Sequence, residues 1–302
     1  MACGQVSVVA LTGAVAPGTG GARFAALSPP AINIDGDVAF AADLSGGSAL
    51  RGIFKLHQGQ LYPIVLQGQS IPGMPNATFW TFSEPSINQS GDMAFTASMQ
   101  SDSMPLRHGV FLSSGPSIQK LVDEDSDVPG LAGSRFDVFN SVTLNDQGVV
   151  AFQSSLTNIP ASSSNGIFAV SNGMLSTLVL GGQLVNGKAL GSIFSNFSLN
   201  NSGHIVFQSS IEGKNSLFLL SENTFRSIAM SGQVVPGLNV PLDYFAQPSL
   251  NDRPESGNGR TGGAENGLGQ RHCRSELEWN CHLLVLRRQG RITGCRRHGC
   301  RH

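Results

Sequence analysis

One eight-residue pattern returns four times at a nearly fixed interval, and it constrains this chain more than any other feature. It reads Asn33-Ile-Asp-Gly36-Asp-Val-Ala39-Phe40, then Asn88-Gln-Ser-Gly91-Asp-Met-Ala94-Phe95. The third and fourth copies are Asn145-Asp-Gln-Gly148-Val-Val-Ala151-Phe152 and Asn200-Asn-Ser-Gly203-His-Ile-Val206-Phe207. The asparagines stand 55, 57 and 55 residues apart, and a fifth onset, Pro248-Ser-Leu-Asn251-Asp-Arg253, follows 51 residues after Asn200. A period of this length marks an array of like units.

Two more signals keep the same phase. A short apolar stretch follows each motif: Gly52-Ile-Phe54, Gly109-Val-Phe111, Gly166-Ile-Phe168 and Leu217-Phe218. A turn closes each unit at Pro72-Gly73, Pro129-Gly130, Asn186-Gly187 and Pro236-Gly237, with an earlier copy at Pro17-Gly18. Asparagine bonds nearby backbone and glycine accepts a positive φ, so N-x-x-G predicts a tight turn. After the turn the residues alternate. Val38, Phe40, Ala42 and Leu44 face one way; Asp37, Ala39, Ala41 and Asp43 face the other. That is the period of a strand with one large apolar face and one small-residue face.

Four strands per unit are expected, in the first near residues 28–33, 37–44, 51–56 and 61–67. The fold class is therefore all-β, a β-propeller-like array of four-stranded repeats, with a β-solenoid as the alternative. The array spans residues 1–253, with repeats near 19–73, 74–130, 131–187 and 188–237 and a fifth cut short. Val8-Val-Ala-Leu11 aligns with the fourth strand of later repeats, as in Ile64-Val-Leu66.

The motif resembles that of bacterial tandem-repeat proteins defined by N-x-x-G-x-x-A-F, which are often large, exported and tethered by varying C-terminal anchors. Phe40, Phe95, Phe152 and Phe207 match the last position, and Val206 departs at Ala. The resemblance implies a secreted or cell-surface setting and carries no activity with it. The N-terminus has no basic region ahead of its short apolar stretch and reads as a poor signal peptide. No run of about 18 apolar residues predicts a membrane-spanning helix.

Composition changes at Arg253. Residues 1–253 carry ten Lys and Arg against sixteen Asp and Glu, a net of −6; residues 254–302 carry nine Arg against four Glu, a net of +5. The last 49 residues hold four of the five Cys, four of the seven His and none of the 17 Phe. Pro254 stands where the fifth motif calls for Gly. Such a switch in mid-motif is what a shifted reading frame produces, so the tail is expected to be unstructured, from a truncated copy. A remnant without function is one outcome of that reading. The acidic body gives no footprint for nucleic acid.

The chemistry-bearing residue types are few. Cys295, His298, Cys300 and His302 crowd together without the paired spacings of a zinc site. Asn33, Asp35 and Asp37 resemble the start of a calcium loop, but the later repeats do not keep the acids, so a turn is expected. Asp123-Glu124-Asp125-Ser126-Asp127 reads as a solvated acidic loop. Trp80 and Phe82 read as blade packing rather than a sugar platform. His57, His108 and His204 occupy unrelated positions, and no Ser/His/Asp order stands out.

No catalytic, cofactor-binding or metal residue is therefore expected. The chain reads as a non-enzymatic scaffold for surface binding or cell-envelope interaction. Its partner would be an unknown protein or glycan, without nucleic acid and without membrane insertion. The alternative is a propeller-type hydrolase acting on glycans. Its mark would be acids and aromatics, absent from the other repeats, gathered on one face.

Overall fold

The computed structural model describes residues 7–101, 104–159, 164–234, 240–243, 245–254, 271–272 and 279–283. Blade one contains β1 (Arg23–Leu27), β2 (Ala31–Ile32), β3 (Val38–Ser45), β4 (Arg51–His57) and β5 (Gln60–Leu66). Blade two contains β6 (Ser70–Ile71), β7 (Met74–Phe82), β8 (Ser86–Ile87), β9 (Met93–Ser101), β10 (Met104–Ser114) and β11 (Ser117–Asp123). Blade three is β12 (Arg135–Leu144), β13 (Val150–Thr157), β14 (Asn165–Ser171) and β15 (Met174–Leu180). Blade four is β16 (Leu184–Val185), β17 (Lys188–Leu199), β18 (Ile205–Ile211), β19 (Lys214–Ser221) and β20 (Thr224–Met230).

Each blade is an antiparallel sheet in chain order, as in β12-β13-β14-β15. The result is the expected all-β, propeller-like array, in sheets of four to six strands because short extra strands join three of the blades. The first strand differs from expectation. Instead of one strand at residues 28–33, blade one has β1 and β2 on either side of Pro29-Pro30. Proline has no N–H to give a ladder, so the pair interrupts the pairing with β3.

Both strand faces are buried, because each blade is sandwiched between neighbours. Phe40 pairs with Phe54 across β3 and β4, and the rings stack 5.9 Å apart. Phe95–Phe111, Phe152–Phe168 and Phe207–Phe218 repeat that stack at 5.6, 5.7 and 5.5 Å. A third ring meets the stack edge-on: Phe24 on Phe54, Phe79 on Phe111 and Phe136 on Phe168 from the first long strand of each blade, and in blade four the partly buried Phe225 on Phe207. Each ring so buried contributes about 2–3 kcal/mol.

The small-residue face of one blade receives the phenylalanine face of the next. Ala41, Ile53 and Val65 of blade one pack on Phe79, Phe95 and Phe111. Ala94, Val110 and Val122 pack on Phe136, Phe152 and Phe168. Ala151, Ile167 and Val179 pack on Phe207 and Phe218. Blade one's own phenylalanine face is covered by Val9, Ala10, Ala16 and Ala22. The segment at Leu11–Ala14 bonds like the end of a fourth strand. Gly13 N–H donates to Phe24 O at 2.7 Å, as Gly68 N–H does to Phe79 O at 2.8 Å.

The N-x-x-G turns link the blades. In each, the Asn Oδ1 accepts the N–H four residues on: Asp37, Asp92, Val149 and His204, all at 2.9 Å. In the third and fourth turns it also accepts the N–H two residues on. The Nδ2 then donates to the backbone carbonyl of the next motif's asparagine. The ladder runs Asn33 to Asn88 (3.0 Å), Asn88 to Asn145 (3.4 Å), Asn145 to Asn200 (3.0 Å) and Asn200 to Asn251 (3.1 Å). A second ladder uses the next residue. The N–H groups of Ile34, Gln89, Asp146 and Asn201 donate to the side chains of Gln89, Asp146, Asn201 and Asp252. Motif asparagine is thus both a turn former and the tie between units.

β21 (Ser249–Pro254) pairs with β23 (Trp279–Leu283), which also pairs with β22 (Arg271–His272). The remainder of the expected unstructured tail lies outside the described residues, as do Cys295, His298, Cys300 and His302. No described helix is long and apolar enough to cross a membrane.

Candidate functional site

The hairpin ends of the sheets, opposite the asparagine turns, are where the repeats diverge. In blade one, Asp43 and Arg51 are cross-strand partners, and the Arg51 Nε donates to Asp43 Oδ1 at 3.1 Å. Repeats two to four carry Ser98, Ser155 and Ser210 where Asp43 stands, and His108, Asn165 and Asn215 where Arg51 stands. Beside this pair a groove of about 250 Å³ opens between blades one and two. Blade one supplies Ala41, Asp43 and Arg51; blade two supplies Phe82 and Glu84 from the end of β7. Phe82 is braced by Phe79 at 5.7 Å and Phe95 at 6.2 Å.

The matching cleft between blades three and four is laced shut. Asn165 donates from Nδ2 to Ile193 O at 2.8 Å and accepts Ile193 N–H on Oδ1 at 3.0 Å. A single amide therefore closes there what Arg51 leaves open.

The middle position carries a charged cluster in place of the usual turn. Repeats one, three and four use a glutamine whose Oε1 caps the N–H three residues before it: Gln69 on Leu66, Gln183 on Leu180 and Gln233 on Met230. Repeat two has Ser126 there, and its Oγ takes the Asp123 N–H at 3.1 Å. Around it, Glu124 Oε1 meets His108 Nδ1 at 2.6 Å and accepts the His108 N–H at 2.8 Å. Arg107 forks onto both oxygens of Asp125. That hydrogen bond, with the attendant charge attraction, holds the Asp125 carboxyl below its usual range and the Arg107 guanidinium above its own. Buried Asp123 takes Lys120 Nζ at 2.5 Å, and Asp127 pairs with Arg135. The acidic run is the solvated loop expected from sequence at Asp125 and Asp127, whose side chains are 65% and 87% exposed, but Asp123 is buried and the run is paired with cations. Strands β10, β11 and β12 each bring a cation to it.

The remaining candidates separate. Asn33 serves its turn, while Asp37 meets His57 Nδ1 at 2.8 Å. His204 is buried beside the fourth turn. Trp80 departs from the expected blade packing. It sits at the register shift between Phe79 and Thr81 and is 41% exposed. Its strand is the one that delivers Phe82 and Glu84, so an aromatic and the groove's second acid share one blade edge. Asp43, Arg51 and Glu84 were not singled out from sequence. The signal was available in the repeat alignment, where Asp43 and Arg51 break a column.

Among curated proteins, no sequence matches this chain. Solved structures similar to it include the GH93 α-L-arabinofuranosidase of Fusarium graminearum with arabinobiose. That match has 11% identity and a TM-score of 0.39, covering 76% of this chain and 70% of that one. The α-L-arabinanase of Penicillium chrysogenum, complexed with arabinobiose, matches at 9% identity and a TM-score of 0.38, covering 76% and 71%. A puromycin-hydrolyzing peptidase of Mycobacterium tuberculosis matches at 11% identity and 0.35, covering 74% and 48%. Likeness at this level assigns no substrate to the chain. The three structures named here are enzymes, against the expectation of a non-enzyme, and their likeness assigns no activity to the chain. The family described as being of unknown function, DUF7453, matches residues 1–107 and 103–255, and the chain belongs to it.

Proposed function

We propose that this chain is a glycan-acting propeller that hydrolyses a glycosidic bond in the groove between blades one and two. One observation carries the reading. The cleft that Asn165 seals between blades three and four stands open between blades one and two, and two acidic residues line it, Asp43 from blade one and Glu84 from blade two.

Glycoside hydrolysis uses two carboxyl groups flanking the scissile bond. Asp43 comes from blade one and is fixed by Arg51; Glu84 comes from blade two. In this reading the Glu84 carboxyl gives its proton to the leaving oxygen. Asp43 takes a proton from the water whose oxygen bonds to the anomeric carbon. Phe82 offers an apolar ring to the carbon face of a sugar. An extracellular setting, where polymeric glycans are met, fits this activity.

The test is release of reducing ends from a polysaccharide panel (arabinan, xylan, pectin and β-glucan) by the full chain, with Asp43→Asn and Glu84→Gln beside it. Cleavage that drops at least about 100-fold in each variant supports the assignment. A folded protein that releases nothing from any member overturns it, as does cleavage that survives both substitutions.

A further inference from the structure

Resting on that reading, we infer that Arg51 makes the groove selective for glycans bearing a carboxylate, that is, for uronic acid residues. A guanidinium carries five N–H donors in a planar fork. In Arg51 only Nε is engaged, by Asp43 Oδ1 at 3.1 Å, and no other partner of this side chain occurs among the described residues. Both Nη atoms remain to be used, and the side chain is 47% exposed at the groove wall.

Other arginines of the array are committed differently. Arg107 spends both Nη atoms on Asp125 and turns its Nε toward Glu124 at 3.8 Å. Arg135 uses Nη1 on Asp127 and on the Ser134 carbonyl. Arg23 gives Nη1 to Gly13 O at 2.6 Å. Arg51 differs in being held side-on, with its fork left clear beside a cavity.

The fold does not require arginine at this position, since the other blades manage with His108, Asn165 and Asn215. A planar fork with free ends matches a planar carboxylate in two parallel bonds, whereas a sugar hydroxyl offers a single acceptor oxygen. Arg51 lines the groove from blade one and Glu84 from blade two, so a uronate bound at Arg51 sits on the blade-one side.

The probe is a matched pair: an oligogalacturonate and the same oligomer with its carboxylates methyl-esterified. Binding of each to the full chain is measured by calorimetry, and cleavage by reducing ends. The wild-type protein should prefer the free acid by roughly 10- to 100-fold. Arg51→Gln should bring that ratio close to one. Arg51→Lys, which keeps the charge and loses the fork, should leave only a small part of it. The ratio is internal to each variant, so a change in overall activity does not disturb it. Equal affinity of the wild type for the two oligomers overturns the inference, as does a preference that persists in Arg51→Gln. Cleavage of neutral glycans with no acid preference overturns this inference and leaves the hydrolase reading standing. Acid-selective binding that depends on Arg51, without cleavage of any glycan, does the reverse.

Discussion

Asn165 bonds both the N–H and the carbonyl of Ile193, at 3.0 and 2.8 Å, and so joins blade three to blade four through one side chain. The contact crosses 28 residues of chain and replaces backbone pairing that two separate sheets cannot make. Asn165→Ala removes both bonds and leaves the Ile193 groups to find water. Stability should fall by about 1–3 kcal/mol, read as a shift in the urea midpoint at constant m-value.

The ladder at the opposite end makes a sharper demand. Asn145 is 5% exposed. It accepts the N–H groups of Val149 and Gln147 and donates to the Asn200 carbonyl. Asn145→Ala unties the turn from itself and blade three from blade four. A loss of about 2–4 kcal/mol is expected in chemical denaturation. Asn145→Asp keeps the acceptor oxygen and loses the donor, so it should cost less than Asn145→Ala if the turn dominates, and as much if the tie between blades dominates.

Glycine at the start of the third strand answers to packing rather than to φ. A Cβ on Gly166 would lie 2.5 Å from the Val179 carbonyl oxygen on β15. Gly166→Ala should cost at least about 2 kcal/mol, since backbone has to move. Gly59 tests the other cause, because its φ is +76° and a Cβ added there would meet nothing within 4 Å. Gly59→Ala should cost about 1 kcal/mol, from the left-handed backbone alone. Thermal melts of the two variants, compared directly, separate crowding from conformation.

Acid sensitivity should trace in part to repeat two. Arg107 holds Asp125 ionised below the usual carboxylate range. A carboxyl depressed on folding adds stability that is fully present above its unfolded value, about pH 4, and that is lost as pH falls through the lower folded value. Because the Asp125 side chain is 65% exposed, the gain is small and salt-screened. Asp125→Asn should flatten the stability profile below about pH 4 at low ionic strength and change it little in about 1 M salt. An unchanged acid limb in low salt would remove Asp125 from the account.

What could be read from the residues alone was whatever repeats. The recurrence of Asn, Gly and Phe at one interval, with alternation between, dictated turns, strands and an all-β array, because local hydrogen bonding and period-two burial depend on near neighbours in sequence. Even there, Pro29-Pro30 split the first strand against expectation, since the missing N–H matters only once β3 lies beside it. The groove was of another kind. Asp43 and Arg51 are eight residues apart, but Glu84 lies 41 positions beyond Asp43 and reaches the same space only because blade two stacks its phenylalanine face on blade one. The ion pairs of the acidic run from Asp123 to Asp127 were hidden for a like reason, as Arg107, His108 and Arg135 come to it from neighbouring strands. Sequence periodicity determined the units. Only the stacking of one blade on the next decided which departures from the repeat meet, because charge pairing and cavity shape are set by distance in space.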